Sequence, residues 1–276
     1  MIPIDLAVDE ESLGTSTGIG PDLIQLMELL ERARQDECRR WISIRIYDVL
    51  DPVLSTIDRL EQRNLQTQLH RCKSLEDEEN APPSTWQHVK NWQASGRFAG
   101  CLVTRLGVTR ASTVIKDEQS LLAFYRDIPG NVNCSEAEYI VHAARAFPRL
   151  LFKANIASEF RRFSERYVKM RPKVTKALSV LNDRLAQIRN ECLDQDCIAR
   201  RLKIEIGYDV SPESPNTRHN ASAMRERNAK FNNETICCEW HVKFHPTHNR
   251  LHFHFGKPEI DNGKVLICHF VDHFST

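Results

Sequence analysis

Apolar and polar positions alternate with two different periods along this chain, and the period divides it. In the first half the spacing is mostly helical. Leu23, Met27 and Leu30 share one stripe of a helix predicted from Asp22 to about Gln35. Trp41 to Tyr47 alternates, with Ile42, Ile44 and Ile46 on one side and Ser43 and Arg45 on the other, which predicts a strand. A polar helix follows over 54–73, and the charged segment 76–84, with Pro82-Pro83, reads as a loop. A short helix from Trp86 to Trp92, a strand at 101–104 and helices at 117–126 and 135–146 complete this half. Residues 1–19 are rich in Gly, Ser and Thr without periodicity and read as an irregular arm. His70 and His88 lie in polar helices and read as solvated surface residues.

The second half has sharper patterns. Leu150 to Lys153 is a short apolar stretch suited to a strand. Ile156, Phe160, Phe163, Tyr167 and Met170 then recur at spacings of 4, 3, 4 and 3, the stripe of an amphipathic helix. Pro172 suits the first turn of a second helix, in which Val174, Leu178, Leu181, Leu185 and Ile188 repeat that spacing. Joined so tightly, the two form an αα-hairpin. A further helix fits 196–206, and the Pro-containing segment 211–217 reads as loop.

From Ala229 the period becomes two. Phe231-Asn-Asn-Glu234 reads as a two-residue hairpin turn. In the following strand Ile236, Cys238, Trp240, Val242 and Phe244 point one way, and Cys237, Glu239, His241, Lys243 and His245 the other. After turn residues at 246–249, Leu251, Phe253 and Phe255 alternate with Arg250, His252 and His254. A last turn at Asp261-Asn-Gly263 leads into 264–269. A four-residue loop at 246–249 pairs His245 with Arg250, Lys243 with His252 and His241 with His254. A slip by one residue would bury the charges. One face then collects Glu239, His241, Lys243, His245, Arg250, His252 and His254, while Trp240, Phe253 and Phe255 face the helical hairpin. The fold class predicted is α+β. A separate α+β domain over 1–149 precedes a helical hairpin packed on an antiparallel meander over 150–276.

Charge sharpens that division. The net charge of +1 argues against a simple polybasic nucleic-acid binder. Residues 1–149 nevertheless sum to −5 and residues 150–276 to +6, and seven of the eleven histidines fall in the last 36 residues. Such asymmetry points to a nucleic-acid-facing half. The nine cysteines form no CxxC pair, so buried or free thiols in a reducing cytoplasm are expected. No stretch is apolar enough to span a membrane, and the start of the chain lacks the basic and apolar regions of a signal peptide.

The run Trp240-His-Val-Lys243-Phe, a turn, then Arg250-Leu-His-Phe-His-Phe resembles the RelE/ParE superfamily of bacterial toxins. The preceding strand, αα-hairpin and basic loop from Arg218 to Arg227 agree with it. The resemblance covers roughly 150–276 and none of the first half. It implies a RelE-like fold and, for the RelE branch, an endoribonuclease that cuts mRNA in the ribosomal decoding site and is neutralised by an antitoxin. ParE-like members inhibit gyrase and cut nothing. His241 and Lys243 match the paired basic sites and Arg250 the arginine after the turn. His273 or His269 matches a further catalytic position near the last strand. The chain departs from the pattern in carrying His at 241 and extra histidines at 252 and 254.

Chemically, 2′-OH attack on the neighbouring phosphate needs a base, an acid and cations, with no cofactor or metal. Histidine suits the first two roles and Lys or Arg the third. The expected catalytic residues are His241, His254, His273, Lys243 and Arg250, with Arg218, Arg225, Arg227 and His252 contacting RNA. An alternative is a non-enzymatic module that binds gyrase or another protein partner. Zinc held by His241, His252 and His254, with Glu239, is a third reading, opposed by the cations Lys243 and Arg250. A plain solvated sheet face is the fourth. The acidic half is expected to restrain the basic face or to recruit a partner.

Overall fold

The computed structural model describes residues 4–9, 13, 20–43, 45–76, 85–103, 113–131 and 134–275. The chain divides into two compact units, 1–124 and 125–276, each with its own sheet. The division falls 25 residues before the boundary read from the sequence, and residues 125–149 carry equal numbers of acidic and basic residues, so the −5 and +6 survive.

In the first unit the strands are β1 (Ile4–Val8), β2 (Arg39–Ile42), β3 (Lys73–Ser74), β4 (Phe98–Leu102) and β5 (Val114–Ile115), in the order β3-β2-β1-β4-β5. All neighbours are parallel. Parallel pairing requires crossovers, and among the described residues helices supply those from β1 to β4. These are α1 (Gly20–Gln35), α2 (Ile46–Leu54), α3 (Arg59–His70) and α4 (Thr85–Ala94), with α5 (Glu118–Asn131) following β5.

Part of the arm expected over 1–19 is therefore the central strand, in which Ile4 to Val8 are all buried. A strand covered on both faces shows no alternation, and Asp5 masks its apolar run. Asp5 accepts hydrogen bonds from Arg39 (2.7 Å), Trp41 (2.7 Å) and Arg97 (2.7 and 2.8 Å). Burial alone would raise its pKa, but these donors outweigh it and hold the carboxyl below the usual range.

The strand expected over 41–47 ends at Ile42. Ile46 instead opens α2, because Ile46, Leu50 and Leu54 share a helical spacing and are all buried; Ile44 lies outside the described residues. The polar helix expected from 54 is split, and α3 begins after a capping box formed by Asp58 and Glu61. Most of the loop expected at 76–84 lies outside the described residues. His70 is exposed, whereas His88 is buried against the Trp92 ring.

The second unit begins within α5 because α6 (Glu136–Ala146) belongs to its core. Tyr139 on α6 packs edge-on against Phe160 and bonds Thr175 at 2.9 Å. The 150–276 segment thus lacks one of its own core helices when read alone. Its sheet has the order β6-β12-β11-β10-β7, built from β6 (Leu150–Phe152), β7 (Asp209–Ser211), β10 (Trp240–Lys243), β11 (Arg250–His254) and β12 (Val265–Val271). Strand β6 runs parallel to β12, and the other pairs are antiparallel.

The helices also differ from the sequence pattern. Ile156–Arg162 is a 3₁₀ turn, after which Phe163 is extended. Helix α7 (Tyr167–Asp183) runs straight through Pro172, followed by α8 (Leu185–Glu191) and α9 (Gln195–Ile206). The apolar stripe read over 156–170 is real in burial, since Ile156, Phe160, Phe163 and Met170 are buried. It is produced by two segments with a break between them. The loop expected over 211–217 holds the end of β7 and the start of α10 (Pro215–His219), capped by Ser214, with α11 (Ala221–Glu226) after it. The predicted turn at Asn232-Asn233 is present, closing β8 (Asn228–Phe231) on β9 (Glu234–Cys237) as a separate ribbon.

Two disulfides, Cys192–Cys197 and Cys238–Cys268, replace the all-thiol expectation; Cys38, Cys72, Cys101, Cys134 and Cys237 are thiols outside any disulfide. Cys192 and Cys197 flank the start of α9, and Cys238 is brought beside β12 by the packing of the β8–β9 ribbon on that strand, neither of which a CxxC search detects. No helix among the described residues is long and apolar enough to cross a membrane.

Candidate functional site

The polar face of the second sheet is built by β10 and β11. Lys243 lies opposite Arg250, His241 opposite His252 and Trp240 opposite Phe253. This register is two residues away from the one read from the sequence. The chain turns one residue earlier, with Phe244 donating its N–H to the Asn249 carbonyl at 2.9 Å and residues 245–248 forming the loop. Asn249 sits at φ 59°, and its side-chain oxygen accepts from the Ser164 N–H at 2.8 Å, which anchors the turn. A slip of two preserves which face each side chain occupies, so the alternation survives while the partners change.

The face is covered, not solvated. His241 is 2%, His252 0%, Arg250 8% and Arg227 0% exposed. Trp240, Phe253 and Phe255 lie together on the other side, where the Arg189 guanidinium of α8 stands 4.9 Å over the Phe255 ring. Above the polar face, Arg227 at the end of α11 donates to Glu213 at 2.9 Å and to the Ala223 carbonyl. Glu213 is itself buried and comes within 3.4 Å of His241 Nδ1. The Phe274 ring covers the other end, 4.9 Å from His252, 5.3 Å from His269 and 5.3 Å from the Arg227 guanidinium.

Hydrogen bonding fixes the imidazole tautomers. His252 Nδ1 lies 3.1 Å from the Cys238 carbonyl, which can only accept, so Nδ1 carries the proton. His241 Nδ1 faces the Glu239 carbonyl and a Glu213 oxygen, each at 3.4 Å, and carries its proton too. Both Nε2 atoms therefore present lone pairs, and both are buried without a hydrogen-bond partner. Burial, reinforced by Arg250 and Lys243, drives the His241 pKa down to about 3. Burial and the neighbouring His241 push His252 well below its usual value. The two rings, 5.0 Å apart, are neutral at physiological pH.

His269 belongs to a second, adjoining knot. Its Nδ1 contacts Lys153 at 3.0 Å and Glu159 at 3.5 Å, and its Nε2 lies 3.2 Å from the Asn228 carbonyl. Burial alone would raise the Glu159 pKa, but hydrogen bonds from His269 and Lys153 outweigh it and hold the carboxyl low.

The remaining expected residues are dispersed. His254 is partly buried four residues along β11 from Arg250, about 14 Å at 3.4 Å per residue, at the far end of the strand. His273 is exposed, two residues beyond Val271, the β12 partner of Arg250. Arg218 is exposed and forks onto Glu239 at 3.0 and 3.2 Å, and Arg225 is exposed. Arg227, expected on the surface as an RNA contact, is fully enclosed and turned to Glu213. The zinc set of His241, His252 and His254 does not assemble as such. Glu213 takes the third place: among the described residues, Glu213, His241 and His252 form the one group whose ligand atoms all lie within 4.8 Å of one another. Sequence reasoning missed Glu213 because it sits between Pro212 and Pro215 in a segment without periodicity.

Comparison with family models, with curated proteins and with solved structures returns no match for this chain.

Proposed function

We propose that the second unit is an RNA-directed, toxin-like endoribonuclease of the RelE kind, acting on RNA and in particular on ribosome-bound mRNA. The observation that carries this reading is the pairing of Lys243 with Arg250 directly beside His241 and His252. Two cations beside a neutral imidazole supply the phosphate-binding and base roles that 2′-OH attack on a phosphodiester requires. His241 Nε2 accepts the 2′-OH proton, the 2′ oxygen bonds to phosphorus, and the phosphorus–5′-oxygen bond breaks. His273 at the Arg250 end returns a proton to the leaving oxygen, and Lys243 and Arg250 hold the phosphorane charge. His254 has no part in this arrangement, since it lies at the far end of β11. Arg218 and Arg225 on the neighbouring surface contact the RNA backbone.

Access is the controlling physical problem. His241 Nε2 is buried, beside Glu213 and a His252 ring that Phe274 covers, so the reaction requires that cover to move. The Ser275 N–H and hydroxyl bonded to Glu226 at 2.8 and 2.7 Å hold the segment closed. This burial favours the second reading, a toxin fold that binds a protein partner and cleaves nothing. The test is incubation of the purified full chain with mRNA-programmed ribosomes, followed by analysis of RNA ends. Fragments with a 2′,3′-cyclic phosphate and a 5′-OH are expected. Intact RNA, together with stable capture of gyrase or another protein, would establish the second reading instead.

A further inference from the structure

We propose that Glu213, His241 and His252 form a binding site for one first-row transition-metal ion of the zinc class. One carboxylate oxygen and one nitrogen from each ring lie mutually within 4.8 Å, and all three residues are buried. Two of the three ligands come from paired positions on β10 and β11, and the third from the segment joining β7 to α10. Sheet register therefore fixes the two imidazoles, and the ion pair of Glu213 with buried Arg227 holds the carboxylate beside them.

The second observation is independent of that spacing. His241 Nε2 and His252 Nε2 are enclosed polar atoms with no hydrogen-bond partner. A buried lone pair without a donor is costly. Here both outer nitrogens are oriented by backbone carbonyls, those of Glu239 and Cys238. That is the arrangement by which metal-binding histidines are fixed in tautomer and ring orientation. These two lone pairs are the ring positions left open to an ion.

Ligand chemistry selects the metal. Two neutral imidazoles and one carboxylate suit Zn(II), Co(II), Ni(II) or Fe(II) better than Mg(II) or Ca(II), which prefer oxygen. Three protein ligands leave a position for water. Arg227 shares the Glu213 carboxylate and Arg250 lies nearby, so the site binds more weakly than an all-cysteine structural centre. An ion here occupies the lone pair that cleavage would use, making metal loading and His241-assisted cleavage alternative states of one cluster. The proposal does not depend on RNA cleavage, because it is tested without RNA.

The test uses the full chain, stripped with chelator and titrated with Co(II) and Zn(II). The readouts are metal content, Co(II) ligand-field absorption and thermal midpoint. One equivalent is expected, with no thiolate-to-cobalt charge-transfer band and a rise in midpoint on adding Zn(II). His252→Gln and Glu213→Gln should each weaken binding by at least about 100-fold. His245→Gln, on the exposed 245–248 loop, should bind as the parent does. Circular dichroism confirms that the variants fold, and His241→Gln gives a further variant if one does not. Absence of binding, a thiolate band, or unchanged affinity in the folded ligand variants would overturn the proposal.

Discussion

Removing Glu213 isolates a charge. Arg227 is 0% exposed, and its Nε donates to Glu213 at 2.9 Å. Without the carboxylate, the guanidinium keeps only the Ala223 carbonyl and the face of Phe274, and its Nη2 already lacks a partner. Breaking a buried pair by deleting one member costs about 3–5 kcal/mol, whereas replacing both members with apolar residues of similar volume is close to neutral. Glu213→Ala is therefore expected to destabilise the second unit by about 3–5 kcal/mol in chelator-treated protein. The Glu213→Leu, Arg227→Met double variant should return to within about 1–2 kcal/mol of the parent. Because the chain has two compact units, the assay is native-state hydrogen exchange on peptides spanning β10 and β11, which reports this unit alone. A loss below about 1 kcal/mol in Glu213→Ala, or a double variant as unstable as the sum of its singles, would refute the claim that these charges depend on one another.

Two further predictions concern pH and redox state. His142 is 1% exposed, and burial, aided by Arg145, lowers its pKa to about 4. Its contribution is complete above the unfolded value near 6.5 and is lost as pH falls toward 4, about 2 kcal/mol by pH 5. Urea titrations of the parent should show that loss, and His142→Leu should flatten the curve over this range; a parallel curve would remove His142 as the cause. Alkylation of the denatured, unreduced chain should modify five cysteines, and nine after reduction; nine without reduction would contradict both disulfides.

What the sequence disclosed follows from what periodicity encodes. The β10 and β11 alternation placed every side chain on its correct face, because a period of two survives any even slip of register. It could not set the partners, since these depend on where the chain turns, and Asn249 in a left-handed conformation moves that turn by one residue. The same limit hid the site's third member. Glu213 joins His241 only through tertiary folding of β7 and α10, and nothing local marks it. Solvation was misjudged for a related reason. Alternating polar residues signal a wet face when nothing covers it, but here Arg227 and Phe274 close over His241 and His252, converting surface chemistry into a buried neutral pair. In the first unit, β1 escaped notice because a central parallel strand is buried on both sides and carries Asp5 in its midst, paired across the sheet to Arg39 and Arg97.

RNA cleavage by Lys243, Arg250 and His241 is the proposed activity of the second unit. The most direct measurement is transcriptome-wide mapping of RNA 5′ ends after induced expression of the full chain in a bacterium, beside Lys243→Ala and Arg250→Ala. New ends that depend on the parent, falling by about 100-fold in each variant, are the predicted result. A map identical to that of uninduced cells, or new ends undiminished in both variants, would contradict it.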